Sequence, residues 1–205
     1  MSYNKAYEPV RGEPAQSDYE LIDVDPHFNR VVSYFRGSDI GLWAATTAAF
    51  PVSLVAWERL EPVAGAFRQP GKVQAGALRA ATLVGFFGGF YLAYIRSSKR
   101  FLGWSENARE VKKDRYEIKK LLSEGKLPYH DNESKLDDRM KDIANRNSQY
   151  SFTTLAILPW FNLAYHPYHG VNIQKYYETR PGEEEWGFTL KPYEEIKAKY
   201  AKHIE

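Results

Sequence analysis

The chain has 205 residues, no cysteine and a formal net charge of +2. It therefore has no disulfides and no cysteine-ligated iron–sulfur or zinc sites. The balanced charge gives no global field that would favour nucleic acid or acidic substrates. A mean hydropathy of −0.55 is that of a water-soluble protein, but the average hides a separation of apolar residues into charge-free blocks.

The N-terminal segment 1–39 carries few apolar residues and three prolines. Its composition predicts an extended tail that cannot build a core of its own. Neither a secretory signal nor a cleaved transit peptide is indicated in the first twenty residues. A short helix is expected after Asp25-Pro26, because apolar residues follow it at helical spacing. These residues are Phe28, Val31, Val32 and Phe35. We expect Phe28, Val32 and Phe35 to anchor the tail on another surface.

The first charge-free block, residues 40–57, predicts a transmembrane helix. Its 18 residues are bracketed by Asp39 and Glu58. As a helix the block reaches about 27 Å, close to a hydrocarbon core of about 30 Å. Trp43 and Trp57 lie near its ends, where indole rings favour the membrane interface.

The second block, residues 73–95, predicts another transmembrane helix with one charge, Arg79, close enough to its start to reach the headgroups. A loop over 58–72, containing two prolines and two glycines, joins the two blocks. The alternative is a pair of core helices in a soluble domain. That alternative is disfavoured, since the remaining segments are too polar to cover two helices that are apolar all round.

Small residues recur at every fourth position in both blocks. Such rows allow helix backbones to approach closely in lipid. The first row is Gly41, Ala45, Ala49 and Ser53, and the second is Ala77, Ala81, Gly85, Gly89 and Ala93. The rows either join the two spans to each other or dock them on a partner helix, and the sequence does not separate these options.

Charges near the spans predict the topology. Lysine and arginine collect on the side of the membrane that is electrically negative. The tails carry nine of them near the spans: Arg30, Arg36, Arg96, Lys99, Arg100, Arg109, Lys112, Lys113 and Arg115. The loop carries three, namely Arg59, Arg68 and Lys72. Both tails are therefore expected on the negative side, with the loop on the other side.

The C-terminal tail, residues 96–205, is charged and aromatic and predicts amphipathic helices. One covers Trp104 to Leu122, another begins at Ser134 with Asp137 as an approximate capping partner, and a third follows Pro192. Basic residues beside the spans could meet anionic headgroups such as cardiolipin. The candidates are Arg36, Arg96, Lys99 and Arg100. The alternative is a solvated face that carries only the topological charge bias.

A charge-free stretch extends from Asn147 to Gln174, and its apolar part covers residues 150–165. We expect this part to lie along the interface or on a partner, with Trp160 and Phe161 as anchors. A third span is the alternative. It is short and interrupted by a proline, and it would move the C-terminus across the membrane.

No nucleophile–base pair stands out in the sequence. His166 and His169 are three residues apart, but we see no carboxylate near them in the sequence, so ordinary polar contacts are expected rather than a metal site. Asp23 and Asp25 flank a turn at Pro26 and are expected to cap it. A transporter would need several charges inside the spans, which argues against that role.

The segment from Tyr19 to Asp39 reads YELIDVDPHFNRVVSYFRGSD. Its LID-x-DPH-x-x-RVV-x-Y-x-R-x-SD pattern resembles the 21-kDa accessory subunit family of fungal mitochondrial NADH:ubiquinone oxidoreductase, respiratory complex I. The two spans and the charged, aromatic C-terminal part resemble that family's layout as well. The resemblance implies a subunit of the membrane arm that carries no redox centre, touches no substrate and pumps no protons.

Residues and resemblance together predict a mainly α fold, namely a two-span transmembrane helical hairpin with extended and helical tails and no independent globular core. The expected place is the mitochondrial inner membrane, multi-pass, with both termini in the matrix. We expect a non-catalytic accessory subunit of the respiratory electron-transport chain that stabilises or helps assemble complex I. Its partners would be core membrane-arm helices, neighbouring accessory subunits and lipid, but no nucleic acid.

No metal or cofactor is expected to bind this chain, apart from cardiolipin or another phospholipid as a candidate ligand. A transient membrane-bound assembly factor is one alternative function. A membrane enzyme that uses His166 and His169 is another. Replacing both histidines would separate the enzyme from a subunit, because only the enzyme would lose activity with its assembly intact.

Overall fold

A computed structural model describes residues 17–61, 72–134, 136–146 and 161–201. Within these ranges the chain is mainly helical and contains no strand, as expected. It divides into two compact units. We call Val32–Ser98 the helical-pair unit, and Met1–Val31 together with Lys99–Glu205 the tail unit.

The helical-pair unit is dominated by two long apolar helices. A short helix, α1 (Phe28–Ser33), precedes α2 (Gly37–Leu60) and α3 (Ala75–Phe101). Both α2 and α3 are long and apolar enough to cross a membrane. Helix α2 continues through Pro51. Asp39, in its first turn, accepts a hydrogen bond of 2.8 Å from the backbone N–H of Arg36.

Helices α2 and α3 run antiparallel and touch through glycine. A side chain at Gly89 would lie 2.8 Å from the carbonyl oxygen of Trp43, and one at Gly85 would lie 2.9 Å from that of Thr46. The indole N–H of Trp43 donates to the carbonyl of Phe86 at 2.9 Å. Backbone contact of this kind requires residues without a Cβ, because a Cβ would collide with the facing carbonyl oxygen.

The tail unit contains three further helices, α4 (Ala108–Glu124), α5 (Asp138–Arg146) and α6 (Tyr193–Ala201). Helix α4 was expected from Trp104, but Gly103 adopts a positive φ of 71° and makes a turn there. The Asn107 amide then donates to the carbonyls of Glu20 and Arg100, at 2.7 and 2.8 Å. These bonds hold the chain outside a helix until α4 begins.

A hydrophobic core lies inside the tail unit. It is built from α4, two short 3-10 turns at Pro128–Glu133 and Ile173–Tyr176, and α6. Its buried members are Ile118, Leu122, Leu127, Tyr129, Val171, Ile173, Tyr176, Tyr193 and Ile196. The prediction that the tails have no independent core is therefore wrong. Each segment supplies only two or three apolar residues, too few to show in any one window of the sequence.

The described part of the N-terminal segment is bound to the rest of the tail unit, and Leu21 packs against its core. The N–H groups of Ile22 and Asp23 donate to the carbonyl of Phe101 at 2.9 and 3.2 Å, and that of Val24 donates to His169 at 3.1 Å. Ile22, Val24 and Val31 are buried. The expectation that this tail lies on another surface is corrected for residues 17–31, because their apolar side chains are buried within the tail unit, beside the C-terminal segment.

The charge-free stretch is only partly described, since residues 147–160 lie outside the described ranges. From Phe161 to Val171 the chain is not helical. The alternative of a third span over 150–165 therefore falls mostly outside the described residues.

Helix α5 begins four residues later than expected. The side chain of Asp137, not that of Ser134, caps it by accepting a hydrogen bond of 2.7 Å from the N–H of Met140. Met140 and Ile143 keep 48% and 40% of their surface exposed. These two apolar side chains of α5 are thus accessible within the described part of the chain.

Candidate functional site

Two aspartates from the N-terminal segment pair with two histidines from the C-terminal segment. Asp25 lies 2.8 Å from Nε2 of His166, and Asp23 lies 2.7 Å from Nδ1 of His169. All four side chains are buried, with at most 4% of their surface exposed. The pairs join positions more than 140 residues apart in the sequence.

Both ring nitrogens of each histidine face polar partners. Nδ1 of His166 accepts from the N–H of Tyr168 at 3.1 Å, and its Nε2 faces Asp25 at 2.8 Å and the Asn162 amide at 3.2 Å. Nε2 of His169 faces the His166 carbonyl and its Nδ1 faces the Asp23 carboxylate, both at 2.7 Å. All four ring nitrogens are thus engaged within the protein.

Arg30 extends the network to helix α4. Its guanidinium pairs with Asp23 at 2.8 Å and with Asp114 on its other side. It also lies 5.1 Å from the ring of Tyr129, within cation–π range. The hydroxyl of Tyr176 donates to Asp114 at 2.8 Å.

Burial and charge act against each other on these two carboxyls. Burial raises the pKa of Asp23, but the charge and hydrogen bond of His169, together with Arg30, outweigh it, so the pKa lies below its ordinary value. For Asp114 burial prevails over the charges of Arg30 and Lys175, and its pKa is raised. Buried pairs of this kind contribute little net stability, but they fix which segments meet, since one partner without the other is costly.

A second buried cluster joins α4 to the C-terminal segment. Arg115, with 1% of its side chain exposed, forms a two-pronged ion pair with Glu183, and Lys119 pairs with the same carboxylate at 2.7 Å. Arg115 also donates to the carbonyls of Lys175 and Glu178 at 3.0 and 2.6 Å. Burial of Glu183 opposes ionisation, but the hydrogen bonds from Arg115 and Lys119 hold its pKa at about 2.

Neither cluster has the arrangement of a catalytic or metal site. Among the described residues no group of three histidine or carboxylate side chains could hold a metal ion. The ring nitrogens of His166 and His169 are engaged with protein partners, so a ligand could bind only by breaking a buried bond. The chemistry of the network is therefore structural.

Sequence reasoning missed these pairs. The expected polar contacts of His166 and His169 are present, but the premise that no carboxylate lies near them is wrong. The N–H of Asp25 does bond to the side chain of Asp23 at 2.9 Å, as expected for a turn. The available signal was two closely spaced histidines inside a stretch without acids or bases, where each needs a partner from elsewhere.

The two rows of small residues have different environments. In the second row Gly85, Gly89 and Ala93 are buried and Ala81 is half-buried. In the first row Gly41, Ala45 and Ala49 are all exposed, and a side chain at Gly41 would meet no atom within 4 Å. Helix α2 therefore meets α3 through larger residues, such as Trp43 and Thr46.

The residues expected at lipid headgroups are not equivalent either. Arg96 has 49% of its side chain exposed and lies 3.6 Å from Asp39. Arg36 is half-buried and Lys99 is exposed. The expectation that Arg100 contacts a headgroup is corrected. Its surface is only 4% exposed and its guanidinium lies 3.4 Å from Glu110.

The expected tail anchors contact their own chain. In the tail unit, Phe28 and Phe161 meet edge to face, with 5.3 Å between ring centroids. In the helical-pair unit, Phe35 lies 6.1 Å from Phe90. Val32 is half-buried, and Trp160 lies outside the described residues. Aromatic side chains that could have bound a partner are thus used in intramolecular packing.

Two apolar helices long enough to cross a membrane, together with a unit held by buried ion pairs, define a mainly helical protein with two candidate membrane spans. Comparison with known proteins gives its family. The family model of the NADH-ubiquinone oxidoreductase complex I 21 kDa subunit matches residues 16–106, and the model of the subunit's C-terminal region matches residues 115–203.

A relative from Neurospora crassa, the NADH-ubiquinone oxidoreductase 20.9 kDa subunit, is 42% identical over 172 residues. The match covers 82% of this chain and 86% of the relative. The chain therefore belongs to the family of complex I 21 kDa subunits, and the resemblance seen between Tyr19 and Asp39 is confirmed. It is an accessory subunit of NADH-ubiquinone oxidoreductase in the mitochondrial inner membrane and is not catalytic by itself.

Proposed function

We propose that α2 and α3 form a transmembrane hairpin that docks laterally on a helix of a neighbouring complex I subunit. The contrast between the two small-residue rows carries this proposal. Gly85 and Gly89 of the α3 row are covered by α2, whereas Gly41, Ala45 and Ala49 present a smooth exposed face. A face without large side chains admits a second helix at close range.

Lateral docking is tested by enlarging that face. Ala45→Leu combined with Ala49→Leu should remove the subunit from complex I on native gels, because the added side chains hold the partner helix away. Val52→Leu is the matched control, since Val52 is 66% exposed on the same helix and is already large. Full retention of the double variant in the complex would refute the proposed face.

Both termini are proposed to face the matrix. The excess of positive charges in the tails supports this orientation, because the matrix is the negative side of the membrane. The absence of cysteine makes a direct test possible. In mitochondria without an outer membrane, a membrane-impermeant maleimide should label Lys72→Cys, but label Ser17→Cys and Lys197→Cys only after the inner membrane is opened. Labelling of either tail in intact inner membranes would exclude the orientation.

The subunit is also proposed to stabilise complex I rather than to serve its chemistry. Since the tail unit has its own core, it would present a preformed surface to neighbouring subunits instead of wrapping them as an unfolded tail. The exposed edge of α5 at Met140 and Ile143 supports such a contact. Met140→Ser with Ile143→Ser should lower the amount of assembled complex while the electron-transfer rate per assembled complex stays unchanged.

Anionic lipid is proposed to bind Arg36 and Arg96 in the helical-pair unit. Basic side chains beside a span attract anionic headgroups. Arg96 is exposed and Arg36 is half-buried. The buried Asp39 limits this attraction, because it already faces Arg96. Replacing both arginines by glutamine should reduce the cardiolipin that purifies with the complex, and unchanged cardiolipin would exclude these residues as a site.

A further inference from the structure

A groove of about 320 Å³ lies between α2 and α3, in the half of the pair nearer the connecting loop. It is almost entirely apolar, with one charged group at its edge. The lining residues are Pro51, Val52, Val55, Ala56, Arg59 and Leu78. All of them belong to the helical-pair unit.

The groove opens where the contact between the helix backbones ends. At Gly85 and Gly89 no space remains for a side chain. Nearer the loop, the position two turns before Gly85 is Leu78, which lines the groove together with valine and alanine side chains of α2. A gap with apolar walls is not a place for water, which needs two or more polar partners.

Arg59 lies at the loop end of this groove. It is exposed and belongs to the last turn of α2, eight residues beyond Pro51, which is about 12 Å along the helix. A cation is favourable at this end of a helix, where the carbonyl groups point outward. Its planar guanidinium can hold two oxygens of one phosphate. An apolar channel that leads from the middle of a span to an arginine at the interface has the polarity of a phospholipid.

We propose that this groove binds one glycerophospholipid, with an acyl chain between α2 and α3 and its phosphate on Arg59. The inference rests on the proposed transmembrane hairpin. It is separate from the proposed lipid contact at Arg36 and Arg96, since those residues lie at the end of the helix pair that is away from the loop and from Arg59. A helix of another subunit is the competing occupant. With a diameter of about 10–12 Å it is too wide to enter a groove walled by six residues.

Photolabelling of the intact complex tests the site. The probe is phosphatidylglycerol with a diazirine in one acyl chain, and diacylglycerol with the same label serves as the control lipid. We expect labelled peptides at Val55 and Leu78 to exceed those at the exposed residues Leu83 and Phe87 by several-fold. The excess should appear with phosphatidylglycerol and not with diacylglycerol.

Two variants separate the role of the apolar groove from the role of the Arg59 charge. Val55→Trp fills the groove and should abolish labelling there while labelling at Leu83 persists. Arg59→Gln should remove the preference for phosphatidylglycerol over diacylglycerol. Val84→Trp, on an exposed face outside the groove, is the matched control for added bulk and should change neither result.

The outcomes separate this inference from the hairpin on which it rests. Equal labelling of Val55 and Leu83 means ordinary bilayer contact and overturns the lipid site. Labelling at Leu83 with none at the groove, or cross-links from Val55 to a neighbouring subunit, assigns the groove to a protein and also overturns it. If neither helix is labelled, the proposed transmembrane hairpin is refuted, and this lipid site is refuted with it.

Discussion

Asp23 joins several segments of the tail unit through its carboxylate. Its carboxylate receives hydrogen bonds from Arg30, from His169 and from the N–H of Asp25. These partners come from the N-terminal and C-terminal segments of the chain. A buried carboxylate with several donors fixes the register of the segments that bring them, because each donor that moved away would leave a buried polar group without its partner.

Asp23→Asn should therefore destabilise the tail unit by about 3–5 kcal/mol, the typical cost of leaving one member of a buried ion pair without its counterion. Pulse proteolysis of the full chain in urea and mild detergent measures this change. Asp18→Asn is the control, because Asp18 is exposed and close in sequence. Equal midpoints for the two variants would contradict the role given to Asp23.

Glu183 provides a prediction about pH. Its pKa falls from an ordinary 4.5 to about 2, which corresponds to on the order of 3 kcal/mol. Because the folded pKa is the lower one, this stabilisation is complete above about pH 5 and is lost as the pH falls toward 2. Glu183→Gln should lower the free energy of unfolding at neutral pH, and the difference from the unmodified chain should shrink on acidification.

Urea unfolding of the full chain between pH 7 and pH 3 measures this dependence. Glu184→Gln is the matched control, because the neighbouring carboxylate is exposed. A difference for Glu183→Gln that is independent of pH would show that packing, not charge, is what the substitution removes.

At the scale of elements, the contact between α2 and α3 depends on particular glycines rather than on glycine in general. Gly88 and Gly89 are adjacent in α3, yet a side chain at Gly88 meets nothing within 4 Å, whereas one at Gly89 meets the Trp43 backbone at 2.8 Å. Backbone cannot move aside as a flexible side chain can. The same substitution is therefore expected to change the stability of the helix pair in opposite directions at the two positions.

Gly89→Ala should destabilise the helix pair by about 1–3 kcal/mol, the usual cost of overpacking. Gly88→Ala should instead be neutral or stabilise by about 0.5–1 kcal/mol, because alanine loses less conformational freedom than glycine in a helix. The midpoint of denaturing-detergent unfolding of the full chain compares the two. Equal effects would mean that α2 and α3 do not touch at Gly89.

At the scale of the whole molecule, the tail unit is assembled from both ends of the chain. The two regions that match the family models, 16–106 and 115–203, supply opposite halves of the same ion pairs, such as Asp25 and His166. The N-terminal segment is therefore part of the fold of the C-terminal one. In the sequence, the two long apolar helices lie between these segments.

Removal of residues 1–31 should consequently unfold the tail unit although it leaves α4 and α6 intact in sequence. The buried His166, His169 and Asp114 would lose their counterions. Limited proteolysis of mitochondrial membranes should then cleave residues 161–201 rapidly. Removal of residues 1–16 is the control and should leave that region resistant, because residues 17–31 make the described contacts.

The sequence by itself determined the two apolar helices, the helical class and the family. Each of these follows from a local run of residues, either a charge-free block of spanning length or the motif between Tyr19 and Asp39. A run of that kind carries its information within one window. The first row of small residues could also be found from its spacing, but the sequence did not show that this row is exposed.

Only the tertiary structure decided that the tails contain a core, that Asp23 and Asp25 face His169 and His166, and that Gly89 rather than Gly41 is in backbone contact. Each of these depends on which distant segments meet. Apolar residues spread thinly over four segments show no period. Asp23 and Asp25 look like turn residues in the sequence, because their histidine partners lie more than 140 residues away. Pairing between distant segments is decided by packing and charge in three dimensions, and it leaves little trace in local sequence.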